Sequence, residues 1–171
     1  GTEGDEGETA NAAGAVQLFF VGAASMCWGD VDLAQLARLH RTVADLIRRG
    51  VILAAHDVSD GGPAVAVAEM AIASGLDTTF MVATNDEAAG LFAERPSAYI
   101  VQASSREAVS EIADIDGMMC EAIAVMQSCP SDDPAFAFVR DSRDGRDTAT
   151  GEAICSVPLQ QLRSAWRAPL D

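Results

Sequence analysis

Short, largely apolar runs alternate with polar stretches of helical period along most of the chain. Ala15–Val21, Val51–Ala55, Thr78–Ala83, Ala98–Ala103 and Met119–Met126 are such runs, and their length and β-branched or aromatic content predict strands. Between the first two, Leu33, Leu36, Ala37, Val43, Leu46 and Ile47 recur at helical spacing, with Arg38, Arg41, Asp45 and Arg48 on the other side. That predicts a helix over Asp32–Arg49, capped by Asp32 and stopped by Gly50. Pro63–Ser74 reads as an Ala-rich helix closed by Gly75. Pro63 suits its first position, where a missing N–H costs nothing. Asn85–Glu94 and Ser105–Asp114 read as shorter helices. Asp144-Gly145 predicts the turn of a hairpin between Ala135–Val139 and Ala153–Val157, and Pro158–Trp166 a closing helix. The order, mostly β-α-β-α with a final hairpin and helix, predicts an α/β (α+β) domain with a mixed sheet covered by helices.

Length changes this picture little. A chain of 171 residues that is 49% hydrophobic is long enough for one domain with a real core. Residues 1–14 are acidic and poor in apolar side chains, and read as a disordered leader or linker before a single domain over residues 15–171. No apolar run approaches the roughly 20 residues of a membrane helix, so a cytoplasmic protein is expected.

Charge narrows the partners. Acidic residues number 26 against 11 basic ones, all arginine, for a net charge of −15. That balance argues against nucleic acid and anionic membranes as partners. It fits a high-salt cytoplasm, where screening relieves self-repulsion, or a GC-rich coding bias with acidic, poorly ordered segments. Cys27, Cys120, Cys129 and Cys155 form no C-x-x-C pair and have no histidine at zinc spacing, so reduced, mostly buried thiols are expected. Asp141 to Gly145 has the start of a calcium loop but lacks its downstream glutamate.

The candidate chemistry lies in His56-Asp57-Val58-Ser59-Asp60-Gly61-Gly62. A strand, a Gly-rich polar turn and a helix in succession point backbone N–H groups at an anion. The alternative is a structural corner, since Asp-Gly and Gly-Gly are ordinary turn formers. Glu69 is the one acidic residue of the following helix and suits a solvated position, a cation or a neighbouring arginine. His40 falls within the amphipathic helix and reads as structural or surface.

The segment His56–Gly62 with Ala64–Ala71 resembles the signature H-D-[VIL]-S-[DE]-G-G-L-A-V-A-L-A-E-M-A of the C-terminal half-domain of phosphoribosylformylglycinamidine synthase, in the aminoimidazole-ribonucleotide-synthetase-like superfamily. It departs at Pro63 and Val67, both usually Leu. Leu91, Phe92 and Glu94 match the family's L-F-S-E-S-x-G-R, while Arg95 and Ser97-Ala98 replace its second Ser and its Gly-Arg. The loop Ala23–Val31 keeps only Gly29 of a Gly-Gly-Ser, and Glu121–Val125 loses a glycine. Pro158-Leu159 to Trp166 is similar to the closing P-L-x-x-L-x-x-x-W.

The resemblance implies a three-layer α/β/α domain like the C-terminal domain of aminoimidazole ribonucleotide synthetase. It implies ATP- and glutamine-dependent amidination of formylglycinamide ribonucleotide, with Mg2+ and ATP as cofactors. It implies an N-terminal synthetase half and a glutaminase as partners, and no activity for this domain alone. His56 is then a catalytic candidate. Ser59, Asp60, Gly61, Gly62, Glu94 and Arg95 are candidates for substrate or phosphate binding, and Asp57 for the metal. The alternatives are a diverged non-catalytic domain of the superfamily, or part of a selenophosphate synthetase, thiamine-monophosphate kinase or hydrogenase maturation factor.

Overall fold

The computed structural model describes residues 15–23, 32–82, 88–95, 97–103, 107–115, 118–129, 132–140 and 152–168. Seven strands form one sheet: β1 (Val16–Ala23), β2 (Ile52–Asp57), β3 (Asp77–Val82), β4 (Ala98–Ala103), β5 (Met118–Gln127), β6 (Ala135–Arg140) and β7 (Glu152–Pro158). Their order is β2-β4-β1-β5-β3-β6-β7. All neighbours are antiparallel except β3 and β6, so the sheet is mixed, as the sequence predicts. The helices are α1 (Leu33–Arg48), α2 (Gly62–Ser74), α3 (Ala88–Phe92), α4 (Ser110–Ala113) and α5 (Leu159–Arg167).

β1 is an inner strand of the sheet, and its largely apolar run is explained by burial on both faces. Leu18 and Phe20 join one core with Val67, Met70 and Ala71 of α2 and Leu159 of α5. Phe19 and Val21 join a second core with Leu39, Val43 and Leu46 of α1 and Ile112 of α4. Two cores on opposite faces make the three layers α/β/α.

Both edges of the sheet are interrupted. The β2–β4 register shifts between Ile52 and Ala54, and the β6–β7 register shifts opposite Phe138 and Val139. The residues left over, Leu53 and Ile154, are among the exposed large apolar side chains. Bulges of this kind break the row of edge hydrogen bonds that another strand would use.

Several expectations change. In α1 the buried residues are Leu39, Val43 and Leu46, while Leu33 and Ile47 face solvent. Asp32 caps the helix as expected, accepting from the N–H of Ala34 and Gln35. The expected helix over Ser105–Asp114 is a 3-10 turn over Glu107–Val109 followed by the four residues of α4. Of the helix expected over Asn85–Glu94, the described residues show α3 over Ala88–Phe92, which ends before Glu94, and residues 85–87 lie outside them. Cys120, Cys129 and Cys155 form no disulfide among the described residues, but only Cys120 is buried, and Cys155 is exposed on β7. Cys27, Trp28, Gly29, residues 1–14 and the turn at Asp144-Gly145 also lie outside them.

Candidate functional site around the signature turn

Strands β1, β2, β3 and β6 run in one direction and β4, β5 and β7 in the other. Asp57 therefore ends β2 at the same end of the sheet where β1 ends and β4 begins. The turn from Val58 to Gly61 follows there and delivers the chain into α2.

The turn is built around its glycines. Gly61 (φ 82°) and Gly62 (φ 66°) both take the left-handed conformation, which side chains resist and glycine does not. A Cβ on Gly62 would also lie 2.6 Å from the Phe92 carbonyl carbon and 2.7 Å from the Ala93 backbone. Gly62 thus admits the chain's own backbone, whereas a Cβ on Gly61 would meet the Val65 side chain. Gly62 N–H donates to the Ser59 carbonyl at 2.9 Å, closing the turn. Gly61 N–H has no partner among the described residues.

The segment after α3 is fastened to the same turn. Val58 N–H donates to the Ala98 carbonyl at 3.1 Å, and Arg95 N–H donates to the Val58 carbonyl at 3.0 Å. The turn and residues 92–98, separated in sequence, are one structural unit. The structure brings together His56, Asp57, Ser59, Asp60, Gly61, Gly62, Glu94 and Arg95 in this unit. Asp57, Ser59, Asp60 and Glu94 are exposed. The Arg95 guanidinium lies over the ring of buried Phe20, 5.1 Å from its centroid, so this arginine braces the core side of the turn. Ala98, where the family pattern has arginine, is buried opposite Gly22.

His56 has the most elaborate surroundings. Its Nδ1 lies 2.7 Å from the Asp57 carbonyl and its Nε2 2.9 Å from Glu69 Oε2. Glu69 Oε1 accepts from Trp166 Nε1–H at 2.9 Å. Glu69 is thus half-buried and paired with a histidine and an indole, which corrects the solvated or arginine-paired reading. Trp166 escaped sequence reasoning as a site residue; its place in the closing motif was the available signal. His40 pairs with the phenol of Tyr99, ring edge against ring face. Burial, and then the nearby Asp57 carboxylate, push the Tyr99 hydroxyl above its ordinary value of 10.0.

No three His, Cys, Asp or Glu side chains converge as a metal set among the described residues. A single exposed carboxylate such as Asp57 suits a magnesium ion held mainly by phosphate oxygens and water. A cleft of about 630 Å³ opens at the opposite end of the sheet, between Gly75, Asp132, Asp133, Arg163 and Arg167. No residue of the signature turn lines it.

Residues 20–132, most of the chain, match the family model described as AIR synthase related protein, C-terminal domain. The chain belongs to this family. The AIR-synthase-related domain is 42% identical over 90 residues to the "Phosphoribosylformylglycinamidine synthase subunit PurL" of Sinorhizobium fredii, covering 52% of this chain and 12% of the relative. To the protein of the same description from Mesorhizobium japonicum it is 59% identical over 49 residues, covering 29% of this chain and 7% of the relative. The chain thus spans a small fraction of the length of the curated relatives it matches. Among solved structures, "T. maritima PurL complexed with FGAR" superposes with a TM-score of 0.65 at 18% identity, over 87% of this chain and 28% of that one. The same protein complexed with ATP gives 0.64 at 20% identity, over 87% and 25%. These likenesses establish the AIR-synthase-related fold. No helix among the described residues is long and apolar enough to cross a membrane.

Proposed function

We propose that this chain supplies the C-terminal, signature-bearing part of a phosphoribosylformylglycinamidine synthase, an ATP-dependent ligase of purine biosynthesis. One observation carries the reading: the His56–Gly62 turn, with two left-handed glycines and the strand-to-helix geometry of an anion site. The names of the relatives and the ligands of the solved PurL structures support it.

In this reading the amide oxygen of formylglycinamide ribonucleotide takes the terminal phosphoryl group of ATP, and ammonia from glutamine then displaces phosphate. The chain's own contribution is positional. Gly61 N–H, with Ser59 and Asp60 beside it, faces phosphate oxygens. Asp57 holds magnesium through water, and magnesium when bound neutralises phosphate charge. Glu94 orients the substrate side, Arg95 holds the turn against Phe20, and His56 hydrogen-bonds within the site. Gly62 contributes by letting the turn close on residues 92–93, because its own N–H is already used. The remaining partners are an N-terminal synthetase half and a glutaminase, in the cytoplasm, and this domain alone is inactive. A second reading, a diverged non-catalytic domain, draws support from Ala98: its buried place offers no cation where the family pattern puts arginine.

Calorimetric titration with formylglycinamide ribonucleotide, with ATP and magnesium, at low and at molar salt tests the proposal. Expected is binding that raises thermal stability by mass action and is lost in the exposed-site variant Ser59→Ala/Asp60→Ala. A folded chain that binds neither ligand, alone or mixed with the N-terminal part of a relative, overturns it in favour of the second reading.

A further inference from the structure

Helix α5 lies antiparallel along α2, and two polar contacts one helical turn apart fix its register. Arg163 Nη2 donates to the Ile72 carbonyl at 2.9 Å, and Trp166 Nε1–H donates to Glu69 Oε1 at 2.9 Å. The arginine contact satisfies a carbonyl in the last turn of α2, where intrahelical partners run out. The tryptophan contact differs, because its acceptor is shared. The other oxygen of Glu69 lies 2.9 Å from His56 Nε2, and His56 Nδ1 lies 2.7 Å from the Asp57 carbonyl.

Donor and acceptor chemistry gives these contacts a direction. An indole N–H only donates, so Oε1 of Glu69 is committed as acceptor. A backbone carbonyl only accepts, so Nδ1 of His56 carries a hydrogen. The carboxylate left facing Nε2 is an acceptor as well. The contacts therefore run from the indole to Glu69 and from His56 Nδ1 to the Asp57 carbonyl, with Glu69 Oε2 facing Nε2. Trp166 is 60% exposed, yet its one polar group turns inward onto this carboxylate.

We propose that Glu69 and Trp166 are positioning residues for His56. The indole orients the carboxylate, and the carboxylate holds Nε2 and so fixes where the ring points. Displacement of α5 is thereby felt at the signature strand. The consequence for ligand binding rests on the function proposed above; the hydrogen-bond chain does not. If Glu69 and Trp166 were only packing residues, the His56 ring would be independent of residues 69 and 166.

Nitrogen-15 spectra of the two imidazoles in the full 171-residue chain separate these cases, with His40 assigned from a His40→Gln variant and serving as internal control. In Glu69→Gln, the same shape as glutamate, the indole continues to hold the side-chain oxygen. The amide NH2 then faces His56 Nε2 where a carboxylate oxygen stood. The expected result is a displaced His56 Nε2 resonance, with His40 unchanged. Trp166→Phe keeps an aromatic ring and removes the N–H; a smaller shift of the same His56 resonance is expected. His56 resonances identical to the parent in a folded Glu69→Gln chain overturn the proposal. If that variant does not fold, an unaltered His56 in Trp166→Phe overturns it. A chain whose His56 responds as expected but binds no ribonucleotide, alone or mixed with the N-terminal part of a relative, keeps this inference and removes the function proposed above.

Discussion

Helices α1 and α2 cover opposite faces of one sheet and are written in opposite ways. α1 has a buried line, Leu39, Val43 and Leu46, and turns its arginines to water. α2 is apolar nearly all round, with Ala64, Ala66, Val67, Met70 and Ala71 buried. The difference follows from their neighbours. α1 has one packed side, whereas α2 is packed on the sheet and also has α3 and α5 against it. A helix wedged among other elements must be narrow and nonpolar, and alanine satisfies both demands. In such a helix a lone charge needs a partner, which is why Glu69 sits between His56 and Trp166.

The largest effect is expected where α2 begins. Gly62→Val combines a left-handed backbone with a Cβ pressed against the Phe92–Ala93 backbone. It should cost about 4 kcal/mol in urea unfolding, a large share of an ordinary domain's stability. A loss near zero would mean that the start of α2 is not held against residues 92–93.

Next come changes of side-chain size on the two helices. Leu39→Ala in α1 should cost about 3 kcal/mol through the cavity it leaves. In α2 the damage comes from enlargement: Ala71→Leu should cost about 2 kcal/mol by overpacking. A tolerated Ala71→Leu would remove the claim that α2 is wedged.

The smallest effect concerns Tyr99, under the His40 side of α1. It is the sole tyrosine of the chain, so absorbance reports it alone. Its hydroxyl should titrate above 10.0, and Asp57→Asn should bring it part of the way down. A hydroxyl whose folded value is raised contributes stability that is present below its unfolded value and lost as pH rises through the folded one. The chain should therefore lose stability as the pH climbs past 10. A phenol titrating at or below its ordinary value would contradict the desolvated, Asp57-facing placement.

These cases also show what the sequence discloses. Apolar runs marked the strands, because a doubly covered strand such as β1 has no reason to alternate. Asp32 marked the start of α1 through local chemistry alone. The buried line of α1 was misread, since Leu39 and Leu33 differ only in what stands opposite them. The order of the strands is invisible locally: nothing near Thr79 announces that Ala137 lies beside it in parallel. At the site, the glycine pair pointed to the turn, but its service to residues 92–93 is a long-range contact. Glu69 and Trp166 lie 97 positions apart and carry no joint pattern.

The inner place of β1 in the sheet has a consequence for how the chain is made. Its partners are β4 and β5, with Gln17 beside Ala103 and Val16 beside Met126. During synthesis the first strand emerges long before either neighbour exists. Its apolar run then waits, exposed on both sides, until most of the chain has left the ribosome. Long-range pairing of this sort folds slowly and leaves nascent apolar surface for chaperones to shield.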